Sequence, residues 1–269
     1  FHGLLVCPDI DALLYTLSGL IDAERGWGVA GDTHTAHDMF ARFGEETWFT
    51  VGDADLATHA YRTRLLREGA SLTDATAAMA AALGISARIL PASDERWRTR
   101  IRTDAGELAF QDWFVRLRTE PAAIGVSHDG PGIAAPAALE AVANADLVVI
   151  GPSNPIVSIG PILALAGMAT AVAARPVIAV SPIIAGEALK GPAARMMESL
   201  GHGSGAVAVA RYYHALDAGL VDRFVLDEAD AALAPDIADL GMAPAVLPTI
   251  MRTDADRATL ARTLVGSDP

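Results

Sequence analysis

Two short, wholly apolar runs constrain this chain more than anything else in it. Leu147-Val148-Val149-Ile150 ends at Gly151-Pro152, and Val177-Ile178-Ala179-Val180 ends at Ser181-Pro182. An apolar run without polar alternation reads as a strand covered on both faces, the habit of parallel sheets. Residues 161–174 lie between the two runs and read as helix, which completes a βαβ unit. Further strands are expected at Ala123–Val126, Arg223–Leu226 and Ala245–Leu247, and helices over 136–143, 192–200, 205–215 and 254–264. The expected fold class is α/β, with a doubly wound, mostly parallel, Rossmann-like sheet.

The first 120 residues follow a different pattern. Helices are expected over 11–20, 55–68 and 71–83, the last opened by Ser71 with Asp74 three residues on. Ala87–Leu90, Arg98–Thr103 and Leu108–Arg116 read as strands around a turn at Asp104-Ala105-Gly106. The expected organisation is therefore a core of residues 1–29 and 121–269. Residues 30–120 form a mainly helical insertion with a small antiparallel section.

Composition narrows the function. Hydrophobic residues make up 52% of the 269 and charged residues 20%, enough to bury a sizeable core. The net charge of −13 repels a phosphate backbone, so no nucleic-acid partner is expected. The single cysteine, Cys7, excludes a disulfide framework and fits the cytoplasm. No apolar run reaches the roughly 18 residues of a membrane span, so no membrane partner is expected either.

Several segments could carry chemistry. Gly151 to Pro161 follows a strand directly, where ligands of open α/β sheets bind. Ser153, Asn154 and Ser158 offer short donors there, and Gly160 would let backbone amides approach a phosphate. A plain strand-stopping loop explains the segment equally well. Lys190, after the second strand, could reach the same phosphate or be a solvated surface lysine. Asp9 and Asp11 could share a hard cation such as magnesium or simply cap a helix, and caps are commoner. Asp53, Asp55, Thr58, His59 and Arg62 crowd one helix start. Trp48, Phe49, Trp113 and Phe114 could stack on a planar ligand or belong to the core.

Five motifs come in an order that resembles the 2-phospho-L-lactate transferases of deazaflavin coenzyme synthesis. They are Arg25-Gly26-Trp27-Gly28, Gly52-Asp53 with Asp55 to His59, Phe110 to Arg116, Ser153-Asn154-Pro155 with Val157 to Gly160, and Ser181 to Ile184 with Leu189-Lys190-Gly191. The resemblance runs from about Gly3 to Leu264. It implies transfer of a phospholactyl or phosphoenolpyruvyl group from a GDP-linked donor to the terminal ribityl hydroxyl of the deazaflavin Fo. GMP leaves, and the product belongs to coenzyme F-420 biosynthesis. The sequence looks closer to the actinobacterial-type members, which use the enolpyruvyl donor.

The resemblance also implies roles. Magnesium is the expected cofactor, with Asp9 and Asp11 as metal residues and, with His59, as catalytic ones. Ser153, Asn154, Ser158, Gly160 and Lys190 would bind the nucleotide phosphates. Asp53, Asp55, Thr58 and Trp113 would line the acceptor side. The partners are these small molecules, with a homodimer left open. Such enzymes open with a strand, a Gly-rich turn and an Asp pair ahead of the equivalent of Pro8. This chain opens at Phe1 without them, so an N-terminal truncation and an incomplete site are expected. The rival reading is a nucleotide-sugar-binding regulatory protein of the same superfamily, without turnover. A binding module without catalysis is the third.

Overall fold

A computed structural model describes residues 1–188 and 191–266. The chain divides into two compact units, Phe1–Arg96 and Trp97–Pro269. Residues 1–29, which the sequence reading joins to the core, pack within the first unit.

The first unit is helical. It contains α1 (Pro8–Ser18), α2 (Thr35–Arg42), α3 (Asp53–Arg67) and α4 (Leu72–Ala82). Pro8 suits the first turn of α1, where an amide would have no helical partner. Gly19 ends that helix in the left-handed region at φ 75°, donating to Tyr15 and Thr16 carbonyls. Ser71 caps α4 as expected: its hydroxyl accepts from the Asp74 amide at 3.0 Å and donates to the Asp74 carboxylate at 2.7 Å. Leu14, Tyr15, Met79, Ala80 and Ile89 form the core of this unit. The opening segment is pinned to α3, where Thr63 Oγ1 accepts from the Leu5 amide and Arg62 donates to the Leu5 carbonyl. The strand expected at Ala87–Leu90 is irregular chain; only Ile89 is drawn into the core.

The second unit opens with an antiparallel sheet. Strands β1 (Arg98–Thr103), β2 (Gly106–Ala109) and β3 (Gly125–Asp129) lie in the order β2-β1-β3. Thr103 pairs with Gly106 across the expected turn, and Gly106 takes φ 122° there. The expected strand over Leu108–Arg116 ends early. After Ala109 the chain coils into a π-helical turn, Asp112–Arg116, that buries the Trp113 ring.

The rest of the unit is the α/β layer. In chain order it comprises α5 (Pro136–Ala143), β4 (Val148–Ile150), α6 (Gly160–Leu163), α7 (Met168–Ala173) and β5 (Val177–Val180). A hairpin of β6 (Ile183–Ile184) and β7 (Glu187–Ala188) follows. Then come α8 (Ala193–Ser199), α9 (Ala206–Leu216), β8 (Arg223–Asp227), α10 (Ala234–Ala238), β9 (Ala243–Leu247) and α11 (Asp254–Val265). Strands β4, β5, β8 and β9 form one parallel sheet in that order. Ile178, Val180 and Val225 pack under Leu260 and Leu264 of α11. Val177, Ala179, Phe224 and Leu226 alternate with them and are equally buried. Both faces are therefore covered at the central strands β5 and β8. The Leu147–Ile150 run, expected to be covered on both faces, supplies the edge strand β4 instead, and its Val149 is 41% exposed.

The single helix expected over 161–174 is two short ones. Ala166 bridges to Ile133, and Gly167 takes φ 79°, so the helix ladder is interrupted between Leu163 and Met168. Among the described residues, no helix is long and apolar enough to cross a membrane.

Candidate active site

The first unit buries a network of charged side chains. Arg62 is fully enclosed and forms a two-pronged pair with Asp11, with Nη2 on Oδ1 and Nη1 on Oδ2. His59, 2% exposed, stands between two carboxylates: Nδ1 lies 3.5 Å from Asp11 Oδ2 and Nε2 lies 3.4 Å from Asp55 Oδ1. Tyr15 donates its hydroxyl to Asp55 Oδ1 at 2.7 Å. The residues meet because α3 presents positions 55, 59 and 62 on one face, spaced four and three apart, toward positions 11 and 15 of α1.

The electrostatics separate the two acids. Burial pushes the Asp11 carboxyl above its ordinary value, against the pull of Arg62. Burial acts the same way on Asp55, but the adjacent His59 imidazole, the hydrogen bond from Tyr15 and the charge of Arg62 outweigh it. Asp55 is held below the usual carboxylate range. Burial also raises the Tyr15 phenol and pushes the Cys7 thiol up to about 11, so Cys7 is no thiolate nucleophile at neutral pH.

Asp9 and Asp11 do not converge. They are two apart on α1 and so point to different sides. Asp9 is exposed, while Asp11 is turned into Arg62. His59, expected to act directly on the reacting groups, is enclosed, and both ring nitrogens face carboxylates; the geometry makes it a holder of Asp11 and Asp55. Asp53 is a cap. Its carboxylate accepts from the Thr33 hydroxyl and the Thr35 and Ala36 amides, which holds the start of α2. Thr58 is half-buried and donates to the Ala54 carbonyl one turn back. Trp48 and Phe49 pack with Phe1, at ring separations of 6.2 and 5.5 Å. Trp113 belongs to the second unit, where its indole N–H donates to the Pro121 carbonyl at 2.7 Å.

Magnesium fits these residues only in part. Among the described residues, Asp11, Asp55 and His59 could close on an ion, their donor atoms lying within 4.8 Å of one another. That group does not suit a hard, octahedral cation: one donor is an imidazole, and both Asp11 oxygens are engaged by a guanidinium. Asp9, an exposed carboxylate outside that group, is an oxygen donor of the kind such a cation takes.

In the second unit the parallel strands bring their carboxyl ends to one edge. Gly151 to Asn154 follow β4, Ser181 follows β5, and Asp227 closes β8. Ser153 is exposed and Ser158 half-buried. Asn154 caps the π-helical turn Pro155–Ile159, its Oδ1 accepting from the Ile156 and Val157 amides at 2.9 and 3.3 Å. Those amides, expected for a phosphate, are thus already engaged. Gly160 is a packing glycine: a Cβ there would meet the Pro155 carbonyl at 3.0 Å and the Tyr212 hydroxyl at 3.3 Å. Lys190 lies outside the described residues.

The sequence reading missed four groups. Tyr15 is hidden in the apolar run Leu13 to Leu17. Asp32 stands in a loop and accepts from the Ala54 and Asp55 amides at 2.9 and 3.1 Å. Asp227 and Thr249 bond at the sheet edge, where Asp227 Oδ2 accepts from the Thr249 amide and hydroxyl, each at 2.9 Å. The Gly52-Asp53 pair was the one available signal for Asp32, since only a residue without a side chain fits beside its carboxylate.

Comparison with known proteins settles the family. The family model described as 2-phospho-L-lactate transferase CofD matches residues 1–239. The chain belongs to this family. A 2-phospho-L-lactate transferase of Methanosarcina barkeri is 40% identical over 266 residues, covering 98% of this chain and 85% of that one. A phosphoenolpyruvate transferase of Mycolicibacterium smegmatis is 41% identical over 243 residues, covering 86% and 74%. A protein of that name from Streptomyces griseus is 38% identical over 270 residues, covering 97% and 84%. The CofD-family chain is accordingly an enzyme, a transferase acting on small molecules. A Bacillus halodurans protein described as a member of the upf0052 family shares the fold, with a TM-score of 0.58 at 15% identity over 77% of this chain and 71% of that one.

Proposed function

We propose that this CofD-family transferase moves a phospholactyl or phosphoenolpyruvyl group from a GDP-linked donor to the terminal ribityl hydroxyl of Fo. The alcohol oxygen attacks the phosphorus that carries the three-carbon acid, the bond to the other phosphate breaks, and GMP leaves. The product enters coenzyme F-420 biosynthesis. The observation that carries this reading is Asp55, a half-buried carboxylate kept ionised by His59 and Tyr15. Such a group can take the proton that the attacking hydroxyl sheds. Tyr15 and His59 hold it in place, and Thr58 lies one turn from it on the acceptor side.

The nucleotide phosphates are assigned to the β4 edge, where Ser153 and Ser158 offer hydroxyls, with Lys190 after β7. Asn154 and Gly160 shape that turn through the cap and the close packing described above. Magnesium would neutralise charge on the donor diphosphate, with Asp9 as its protein ligand. Positioning and charge neutralisation carry most of the catalysis in such a transfer. Incubation of the protein with Fo and each GDP-linked donor, followed by mass spectrometry, tests the reading. It expects a product heavier than Fo by the phospho-acid group, together with GMP. No such product from either donor rejects it.

A further inference from the structure

We propose that a cavity in the second unit, between Trp113 and Arg195, binds a small monocarboxylic acid. The cavity holds about 220 Å³ and is walled by Trp113, Thr119, Glu120, Ala123, Arg195 and Met196, among others. Small-molecule pockets usually enclose roughly 300–1,000 Å³, so a nucleotide or a three-ring deazaflavin does not fit inside. An acid of about three or four carbons does.

The walls are built for one. Arg195 is exposed and stands at the mouth of the cavity; its Nη2 donates to Thr119 Oγ1 at 2.7 Å, which steers the guanidinium while leaving its other N–H groups to a ligand. A planar guanidinium matches a carboxylate with paired hydrogen bonds. Thr119 is itself held in an uncommon backbone conformation. Arg118 and Thr119 take φ 53° and 66°, the left-handed region that side chains disfavour, and the Thr119 amide closes the turn onto the Trp113 carbonyl at 2.8 Å. Trp113, Ala122, Ala123 and Met196 supply apolar wall for a short carbon chain. Glu120, exposed and also on the lining, carries the same sign of charge as any anion, which disfavours a phosphate dianion more than a singly charged acid.

Motifs far apart in sequence converge here. Trp113 comes from the Phe110–Arg116 segment. Met196 Sδ receives a contact from Asn154 Nδ2 of the β4 loop at 3.9 Å. Pro192 directly follows Gly191. One wall residue of the cavity, Met196, thus touches the turn assigned to the nucleotide, and on the transferase reading the occupant is the carboxylate end of the donor's three-carbon group. That last identification rests on the transferase reading; binding of the acid does not.

Saturation-transfer NMR on the whole protein tests the site with L-lactate, pyruvate and inorganic phosphate as separate probes. Lactate or pyruvate should give signal transfer, and phosphate should not compete. Arg195→Gln should weaken acid binding at least tenfold, while Arg195→Lys keeps part of it. GDP binding, followed by calorimetry, should persist in both variants, which shows that they fold. Absence of binding by either acid to the parent protein, or unchanged binding in Arg195→Gln, overturns the site. Failure of the transferase assay with acid binding intact removes the donor identification and leaves the site standing.

Discussion

Asp32 and Asp53 cap helices in exchange. Asp32 in the loop accepts from the Ala54 and Asp55 amides at the start of α3, while Asp53 on α3 accepts from the Thr35 and Ala36 amides at the start of α2. Gly52 sits where the two meet, and a Cβ there would lie 2.1 Å from Asp32 Oδ2. The exchange fixes the first turn of α3 and therefore the position of Asp55. Gly52→Ala must displace Asp32 and break its cap. A loss of roughly 1–2 kcal/mol is expected in urea unfolding, the usual size of an N-cap. Asp32→Asn, which retains an acceptor, should lose less than Asp32→Ala.

Asp9 and Asp11 should part company on mutation. Asp11→Ala leaves Arg62 buried without its counter-charge, at a cost of about 3–5 kcal/mol. Burial raises the Asp9 carboxyl, so Asp9→Asn removes a charge the fold disfavours and should not lower the unfolding midpoint. On the proposed metal role it should instead raise the magnesium concentration needed for half-maximal turnover. Unchanged magnesium dependence in Asp9→Asn would take Asp9 out of the site.

The parallel layer was legible because its strands carry an unmistakable signal. Val177–Val180 is covered on both faces, so every residue is apolar and the boundaries stand out. The β4 loop was legible as a place and less so as a mechanism. Asn154 and Gly160 do what short polar residues and glycines most often do, capping a turn and permitting close packing. The α1–α3 network was half visible. Spacing showed that His59 and Arg62 share a face, but nothing local tells that Asp11 and Tyr15, more than forty residues away, complete it. Long-range ion pairs leave no trace in periodicity. The helix expected over 161–174 failed for the same reason, since the Ala166 bridge to Ile133 is a tertiary contact.

Asp227 gives the stability a pH dependence of definite sign. Burial raises its carboxyl, but hydrogen bonds from Ala229 and Thr249 prevail and hold it below the ordinary value. A group depressed in the folded state stabilises above the unfolded pKa, about 3.9, and that stabilisation is lost as the pH falls through the folded value. Asp227→Asn should therefore flatten the fall in unfolding free energy below about pH 4. A thermal-unfolding series across that range in parent and variant reads the difference directly.

The nucleotide edge can be divided by residue. Asn154→Ala removes the acceptor that caps the Pro155–Ile159 turn and should cost about 1 kcal/mol of stability. Ser153→Ala leaves that cap intact and removes only an exposed hydroxyl, so its effect should appear in GDP affinity and not in the unfolding curve. Calorimetric titration of GDP into both variants and their combination decides the matter. If the double variant binds GDP as the parent does, the β4 edge is not the phosphate site.

The Asp55–Tyr15 hydrogen bond makes the sharpest test of the proposed chemistry. On the acid side, turnover should follow ionisation of Asp55, because a protonated carboxyl cannot accept the hydroxyl proton. The Tyr15 hydroxyl donates to Asp55 Oδ1 and stabilises the ionised form, so its removal raises the Asp55 pKa. Tyr15→Phe should therefore move the acid limb of the kcat profile to higher pH while the plateau stays near its parent level. Asp55→Asn should abolish the limb and most of the turnover together. His59→Ala removes the imidazole that stands 3.4 Å from Asp55 and lowers its pKa, so its acid limb should shift the same way as that of Tyr15→Phe. Fo binding, followed by the fluorescence of the deazaflavin, separates these effects from loss of the acceptor site. An acid limb that stays in place in Tyr15→Phe, with Fo still bound, would mean that the proton goes to a group other than Asp55.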